Sequence, residues 1–197
     1  LLLASGDAHA AAPPTGSVTL SGPASVSPGA LAYSLNYSLT GTEVRNAKIV
    51  AHFPQGVFVQ GVSPPAGVTS SCSGNGSSPS GTNCTLNLNF SSGGVSGQAT
   101  ITTSLNAYVY RDGDTVDASA TLSADYNDGS SVVPMTPVSD SESTPVVAFA
   151  NMNLSVSAVS SAFVVSPTPT PGKSATGLQY TVRVRGTNTG NYFIDPH

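Results

Sequence analysis

Tryptophan is absent from this chain, and aromatic residues make up only 7% of it. Any core must therefore be filled mainly by Val, Leu, Ile and Ala. Charge is scarcer still: 8% of residues are charged, against about 25% in ordinary soluble proteins. Solubility has to come from Ser, Thr, Asn and Gly. Lysine and arginine number six, and the net charge is −4. A nucleic-acid partner needs clustered cations that displace counterions from phosphate. The nearest approach to a cluster is Arg183 and Arg185 on one predicted strand, so that class is excluded. No apolar run approaches the ~18 residues of a membrane-spanning helix. No segment repeats with the helical period of 3.6.

What the chain has is alternation. In residues 31–39 (LAYSLNYSL), Leu31, Tyr33, Leu35, Tyr37 and Leu39 alternate with Ala32, Ser34, Asn36 and Ser38. A period of two sends the large apolar groups to one face and the small polar ones to the other. That predicts a half-buried antiparallel strand behind the turn Ser27-Pro28-Gly29. The pattern returns in residues 178–184 (LQYTVRV), again behind a Pro-Gly pair, Pro171-Gly172. Leu20-Ser21 likewise recurs as Leu154-Ser155. The chain reads as one β-domain over residues 15–148 and the opening of a second copy over 149–197. An inserted SPTPTPG segment at 166–172 lengthens the second copy and favours polyproline conformation.

Between these landmarks the first domain is expected to hold seven to nine short strands. SVTL (17–20) opens it, KIVAHF (48–53) is a short apolar central strand stopped by Pro54-Gln55-Gly56, and Val57, Val59 and Val62 form a brief strand. CTLNLNF (84–90) alternates with Leu86, Leu88 and Phe90 inward. Residues 98–110 form the longest run, with Ile101, Thr103, Leu105, Ala107 and Val109 on one side. Arg111-Asp112-Gly113-Asp114 is read as the hairpin turn to residues 116–126, and Asn127-Asp128-Gly129 as the next turn. Residues 131–143 close the sheet. Strands and turns at this spacing predict an all-β, antiparallel immunoglobulin-like β-sandwich followed by the start of a second similar one.

Cys72 and Cys84 lie in a stretch rich in Ser, Gly and Asn. Two thiols alone lack the other ligands of a metal site, whereas their spacing suits a disulfide closing a short loop, worth about 3 kcal/mol. The loop is expected to project from the end of the domain. A disulfide places the protein outside a reducing cytoplasm. Five N-x-Ser/Thr triplets, at Asn36, Asn75, Asn83, Asn89 and Asn153, are glycosylation candidates that point the same way. At the N-terminus, Ala8-His9-Ala10 fits a secretory cleavage pattern and Leu1–Leu3 the end of an apolar leader. Residues 1–14 are read as such a remnant or as a flexible segment able to serve as a donor strand.

These pieces together resemble a prokaryotic surface repeat with an immunoglobulin-like sandwich, catalogued as a domain of unknown function. The resemblance rests on Pro28-Gly29, Leu31-Ala32-Tyr33, Asn46 through Pro54-Gln55-Gly56-Val57, Cys72, Cys84-Thr85-Leu86 and Gly97-Gln98-Ala99-Thr100-Ile101. In the second copy Asn188-Thr189-Gly190 matches the family's turn. The resemblance implies a secreted or wall-attached stalk or filament protein and no catalytic residues.

Candidate chemistry is thin. Asp112, Asp114, Asp117, Asp125 and Asp128 sit on adjoining turns and would gather oxygens for Ca²⁺, but Asp-Gly turns arise for backbone reasons alone. Lys48 precedes an apolar run and is a candidate for a Lys–Asn crosslink, with no carboxylate partner in view. Nucleophilic catalysis needs a base oriented by a third group; His9, His52 and His197 offer no such set. Asp195-Pro196-His197 resembles a self-cleavage step, though Ile194 replaces the usual glycine. No cofactor and no enzyme activity are expected. The expected function is a secreted structural subunit of a prokaryotic stalk or pilus-like filament, its partners being copies of itself or other surface proteins. The alternative is an adhesin or carbohydrate-binding module using end loops; residues 71–83 hold no aromatic to stack on a sugar.

Overall fold

The computed structural model describes residues 10–27, 29–148, 152–165 and 176–188; in the last two stretches side chains are described at 155–157 and 182–187. The N-terminal leader, Pro28, the 166–172 insertion, the Thr189-Gly190 part of the second-copy turn and the Asp195-Pro196 step fall outside these residues. The chain divides into two compact units, Leu1–Ala148 and Phe149–His197.

In the first unit the alternating segments become strands β1 (Thr15–Ser21), β2 (Ala30–Gly41), β3 (Val44–Phe53), β4 (Val57–Ser63), β5 (Val68–Gly74), β6 (Thr82–Leu88), β7 (Gly93–Leu105), β8 (Thr115–Asn127), β9 (Val132–Pro134) and β10 (Val138–Pro145). Ten strands, rather than seven to nine, arise because 68–74 and 132–134 also pair. One sheet has the order β1-β2-β7-β4; the other has β10-β8-β3-β6-β5, with β9 on β8. Every ladder is antiparallel. This is an immunoglobulin-like β-sandwich.

Alternation places the core as expected. Tyr33, Leu35, Tyr37 and Leu39 of β2 are buried, as are Ala99, Ile101 and Leu105 of β7. Facing them are Ile49, Ala51 and Phe53 of β3, Leu86 and Leu88 of β6, and Val116, Ala118, Ala120 and Leu122 of β8. The Tyr33 and Phe53 rings, one from each sheet, meet edge to face at 5.2 Å, a favoured aromatic geometry. On one side the sandwich is closed by the edge strands. The Leu20 N–H donates to Asp140 Oδ2 at 2.8 Å, joining β1 to β10, and Val26 bridges Val146.

Two strand ends and one turn differ from expectation. The run 98–110 stops at Leu105 because Asn106 turns the chain: Val109 and Tyr110 donate their N–H groups to its carbonyl and Tyr108 donates to its side chain. Residues 106–114 then cross between sheets, since β7 and β8 lie in different ones. Arg111-Asp112-Gly113-Asp114 is therefore part of a crossover and not a hairpin turn, and Val109 is exposed. Tyr110 turns inward instead and donates its hydroxyl to Gln55 O at 2.8 Å. The strand holding Leu86 and Leu88 ends before Phe90, which is half-buried. Lys48 is exposed on the outer face, so the crosslink reading loses its buried lysine.

Two stability predictions follow from the core. The hydroxyls of Tyr37, Thr82 and Thr103 are buried without a hydrogen-bond partner among the described residues, each an uncompensated desolvation. Thr103→Val keeps the shape and removes one of them, so the urea midpoint should rise by the equivalent of about 1 kcal/mol; a fall of that size would mean that the hydroxyl is engaged. The second concerns alkali. Burial pushes the Tyr110 hydroxyl from 10.0 to about 12, with Tyr33, Asp117 and Asp114 adding; burial also raises Tyr33 and Tyr37. A raised folded value means that the folded state holds its proton while the unfolded chain loses it. Stability is then intact below pH ~10 and declines as pH rises toward ~12. Midpoints measured against pH should show this decline, and Tyr110→Phe should make it shallower.

Candidate functional site

Cys72 of β5 and Cys84 of β6 stand directly opposite each other in the ladder and are bonded. The segment expected to be a projecting loop is thus a β-hairpin. Cys84 is fully buried, on a strand between β3 and β5, while Cys72 lies on the exposed edge strand. The tip, 75–81, is folded back on the sandwich. Asn75 Oδ1 accepts the Ser77 and Ser78 N–H groups, each at 3.0 Å, the side-chain turn that suits Asn. The Gly56 N–H donates to Gly76 O at 2.7 Å. Gly81 has φ 67°, and a Cβ there would lie 2.0 Å from Phe53 O, so only glycine fits. Sequence spacing signalled the pairing; the register that makes it cross-strand needed the structure.

The five aspartates are not brought together. Asp112 Oδ1 accepts Ala148 N–H at 3.0 Å, and Asp114 Oδ2 accepts Arg111 N–H at 2.7 Å. Asp117 Oδ1 accepts the Ser143 hydroxyl, and Asp125 Oδ2 the Asn46 amide at 2.8 Å. Asp128 Oδ1 accepts the N–H groups of Ser131 and Ser130, each at 2.8 Å, which hold its carboxyl below the usual value. Each carboxylate thus serves a turn or a crossing. Among the described residues no three of His, Cys, Asp and Glu are grouped as metal ligands, which corrects the Ca²⁺ reading.

Of the sequon asparagines, Asn75, Asn83 and Asn89 are exposed, and Asn36 is half-buried in mid-strand. Asn83 Oδ1 lies 3.0 Å from His52 Nδ1, so His52 is an outer-face partner of an amide. Asn153 lies on β11, where its side chain is not described.

A groove of about 490 Å³ opens beside the β3–β6 pair, lined in part by Asn46, Thr69, Asn87, Asn89 and Phe90. Asn46 sits in left-handed backbone, φ 52°, where the pairing of β3 with β8 slips between Arg45 and Lys48. Such a bulge redirects side chains out of the ladder. The sequence signal was a break in alternation, with Val44, Ala47 and Ile49 all buried; reading 48–53 alone missed it.

The second unit comprises, among the described residues, β11 (Met152–Val165) and β12 (Thr176–Asn188), paired antiparallel with a bulge between Ala158 and Ser160. Val156 is paired with Val184. Val156, Val182 and Val184 are 65%, 57% and 60% exposed. The hairpin is not an in-register copy of β1–β2: Leu20 faces Leu35, but Leu154 faces Gly186, beyond the Val182 that corresponds to Leu35.

No protein-family model and no curated relative matches the chain. Solved structures do. A variant of BcpA, the major pilin subunit of Bacillus cereus, is 11% identical with a TM-score of 0.50, the likeness covering 91% of this chain and 56% of that one. The 35 kDa C-terminal fragment of the major pilin GBS80 of Streptococcus agalactiae is 8% identical at TM-score 0.48, covering 90% and 81%. A cohesin module from a Clostridium perfringens family 33 glycoside hydrolase is 11% identical at 0.46, covering 67% and 96%. At such identities the BcpA likeness speaks to the fold alone, and this chain spans about half the length of that pilin.

The disulfide generates a prediction. Reduction should raise hydrogen exchange sharply in β5 and the 75–81 tip, because β5 is an edge with one partner strand. β6 should stay protected by its ladder with β3, while global stability falls by about 3 kcal/mol. Equal exchange in the oxidised and reduced forms would refute a stabilising role.

Proposed function

We propose that this chain is a structural module of a prokaryotic surface stalk or filament, secreted and joined to copies of itself by β-strand complementation. The observation that carries the reading is the β11–β12 hairpin with Val156, Val182 and Val184 open to water. Two strands alone are marginally stable, and an uncovered apolar sheet face invites a partner. The sandwich itself offers edges: β4 and β5 end their sheets, and β5 (VTSSCSG) carries no charge to discourage pairing.

Magnitudes favour strand pairing over simple face-to-face contact. Burying a valine gives about 1.5–3 kcal/mol, while association costs an estimated 4–15 kcal/mol in lost freedom. Three valines scarcely cover that cost. A backbone ladder added along an open edge supplies the remainder and fixes register. The disulfide, the resemblance to surface repeats and a sandwich fold like that of a pilin subunit support an extracellular setting. The scarcity of charge suits a module surrounded by its own kind. Among the described residues no helix is long and apolar enough to cross a membrane.

Light scattering on the size-exclusion eluate tests the reading. The full chain should form species whose mass grows with concentration. Val182→Lys with Val184→Lys should return it to monomers with an unchanged β-type circular dichroism spectrum. A wild-type chain that stays monomeric at every attainable concentration would end the proposal.

A further inference from the structure

We propose that the groove beside the β3–β6 pair is a binding subsite for a neutral hexopyranose unit of an oligosaccharide. The site adjoins the β5 edge through Thr69, but it is argued from its own lining and does not depend on the assembly reading.

The groove is built by a backbone device. Asn46 occupies a left-handed conformation in the β3 bulge, which Asn tolerates better than most residues. Its amide nitrogen is held by Asp125 Oδ2 at 2.8 Å. The side chain is thereby fixed before any ligand arrives, which lowers the ordering cost of binding. Asn87 and Asn89 project from β6 and its continuation and are exposed. Elsewhere on the outer faces hydroxyls satisfy one another, as in Ser17 with Ser38 and Thr121 with Ser139. The Asn87 and Asn89 side-chain amides engage no such partner among the described residues. Each carries two donors and an acceptor side by side, the arrangement that vicinal sugar hydroxyls complement.

Phe90 supplies the apolar surface. The strand ends at Leu88, so Phe90 escapes the core and lines the groove half-exposed. An aromatic ring next to amides fits the two-sided character of a pyranose, with C–H groups on one face and hydroxyls at the rim. The floor is Ala47 and Leu88, both buried. No charged side chain lines the groove, and the neighbouring Asp125 is occupied by Asn46. That excludes phosphate, acidic sugars and cations as the natural fit and selects a neutral ligand. The volume, about 490 Å³, lies within the roughly 300–1,000 Å³ of small-molecule clefts. A solubility role alone would account for the asparagines but not for their meeting an aromatic ring in a concavity.

Saturation-transfer NMR tests the site and tolerates any state of assembly. The full-length chain, with Asn89 shown by mass to be unmodified, is mixed with cellotriose, mannotriose and N,N′,N″-triacetylchitotriose in turn. At least one trisaccharide should receive saturation, strongest at the ring protons of one face. Its affinity should fall about tenfold or more in Asn87→Ala with Asn89→Ala, a loss of two hydrogen-bonding groups. Phe90→Leu, which keeps apolar bulk, should abolish the face-selective pattern. No transfer to any of the three sugars at millimolar concentration, or transfer unchanged in the double variant, would overturn the proposal. So would loss of the sugar signal as protein concentration rises, which would assign the groove to a second copy of the chain.

Discussion

The first unit depends on one constraint: two sheets whose inward residues are nearly all apolar must face each other, because neither can leave that face in water. Tyr33, Leu35, Tyr37 and Leu39 on β2 meet Ile49, Ala51 and Phe53 on β3, and the Tyr33–Phe53 ring contact ties the layers together at 5.2 Å. Every other feature accommodates this packing. The crossover at 106–114 carries the chain from one layer to the other and plugs the end with Tyr110. The Asp140 contact with Leu20 N–H closes the side where β1 and β10 meet.

Scarcity of charge shapes the rest. With few ions available, Asp112, Asp114 and Asp128 are spent on backbone N–H groups at turns, where acceptors are needed. The outer faces are left to hydroxyls and amides. Such a surface resists aggregation less well than a charged one, and long uncharged edges such as β5 stay open to pairing. The same chemistry that keeps the strands simple makes the molecule suited to partners that bring backbone or neutral polar groups.

Alternation made the strands legible, since a period of two has one physical meaning in a sandwich. Residues 31–39 and 116–126 could be assigned by side-chain order alone, and Cys72 and Cys84 by their isolation. What resisted were events at which the period continues while the chain does something else. Val109 keeps the phase of Leu105, yet Asn106 has already turned the backbone. Phe90 keeps the phase of Leu88, yet the ladder has ended. Asn46 lies in a bulge, where one inserted residue changes the face without changing composition. The hairpin of 68–74 with 82–88 was hidden because Ser, Gly and Asn signal loops, and a disulfide can hold them as strands. The amide-lined groove is a product of two such invisible events, the bulge and the early strand end.

The second unit turns the same constraint outward. Its Val156 and Val184 are cross-strand neighbours with nothing over them among the described residues, and the account holds that another copy covers them. Hydroxyl-radical footprinting read by mass spectrometry measures that cover directly, in assemblies of any size. Val156, Val182 and Val184 should become protected as concentration rises, while Val132, 50% exposed on the sandwich, should label equally throughout. Labelling of the three valines that tracks Val132 at every concentration would contradict the account.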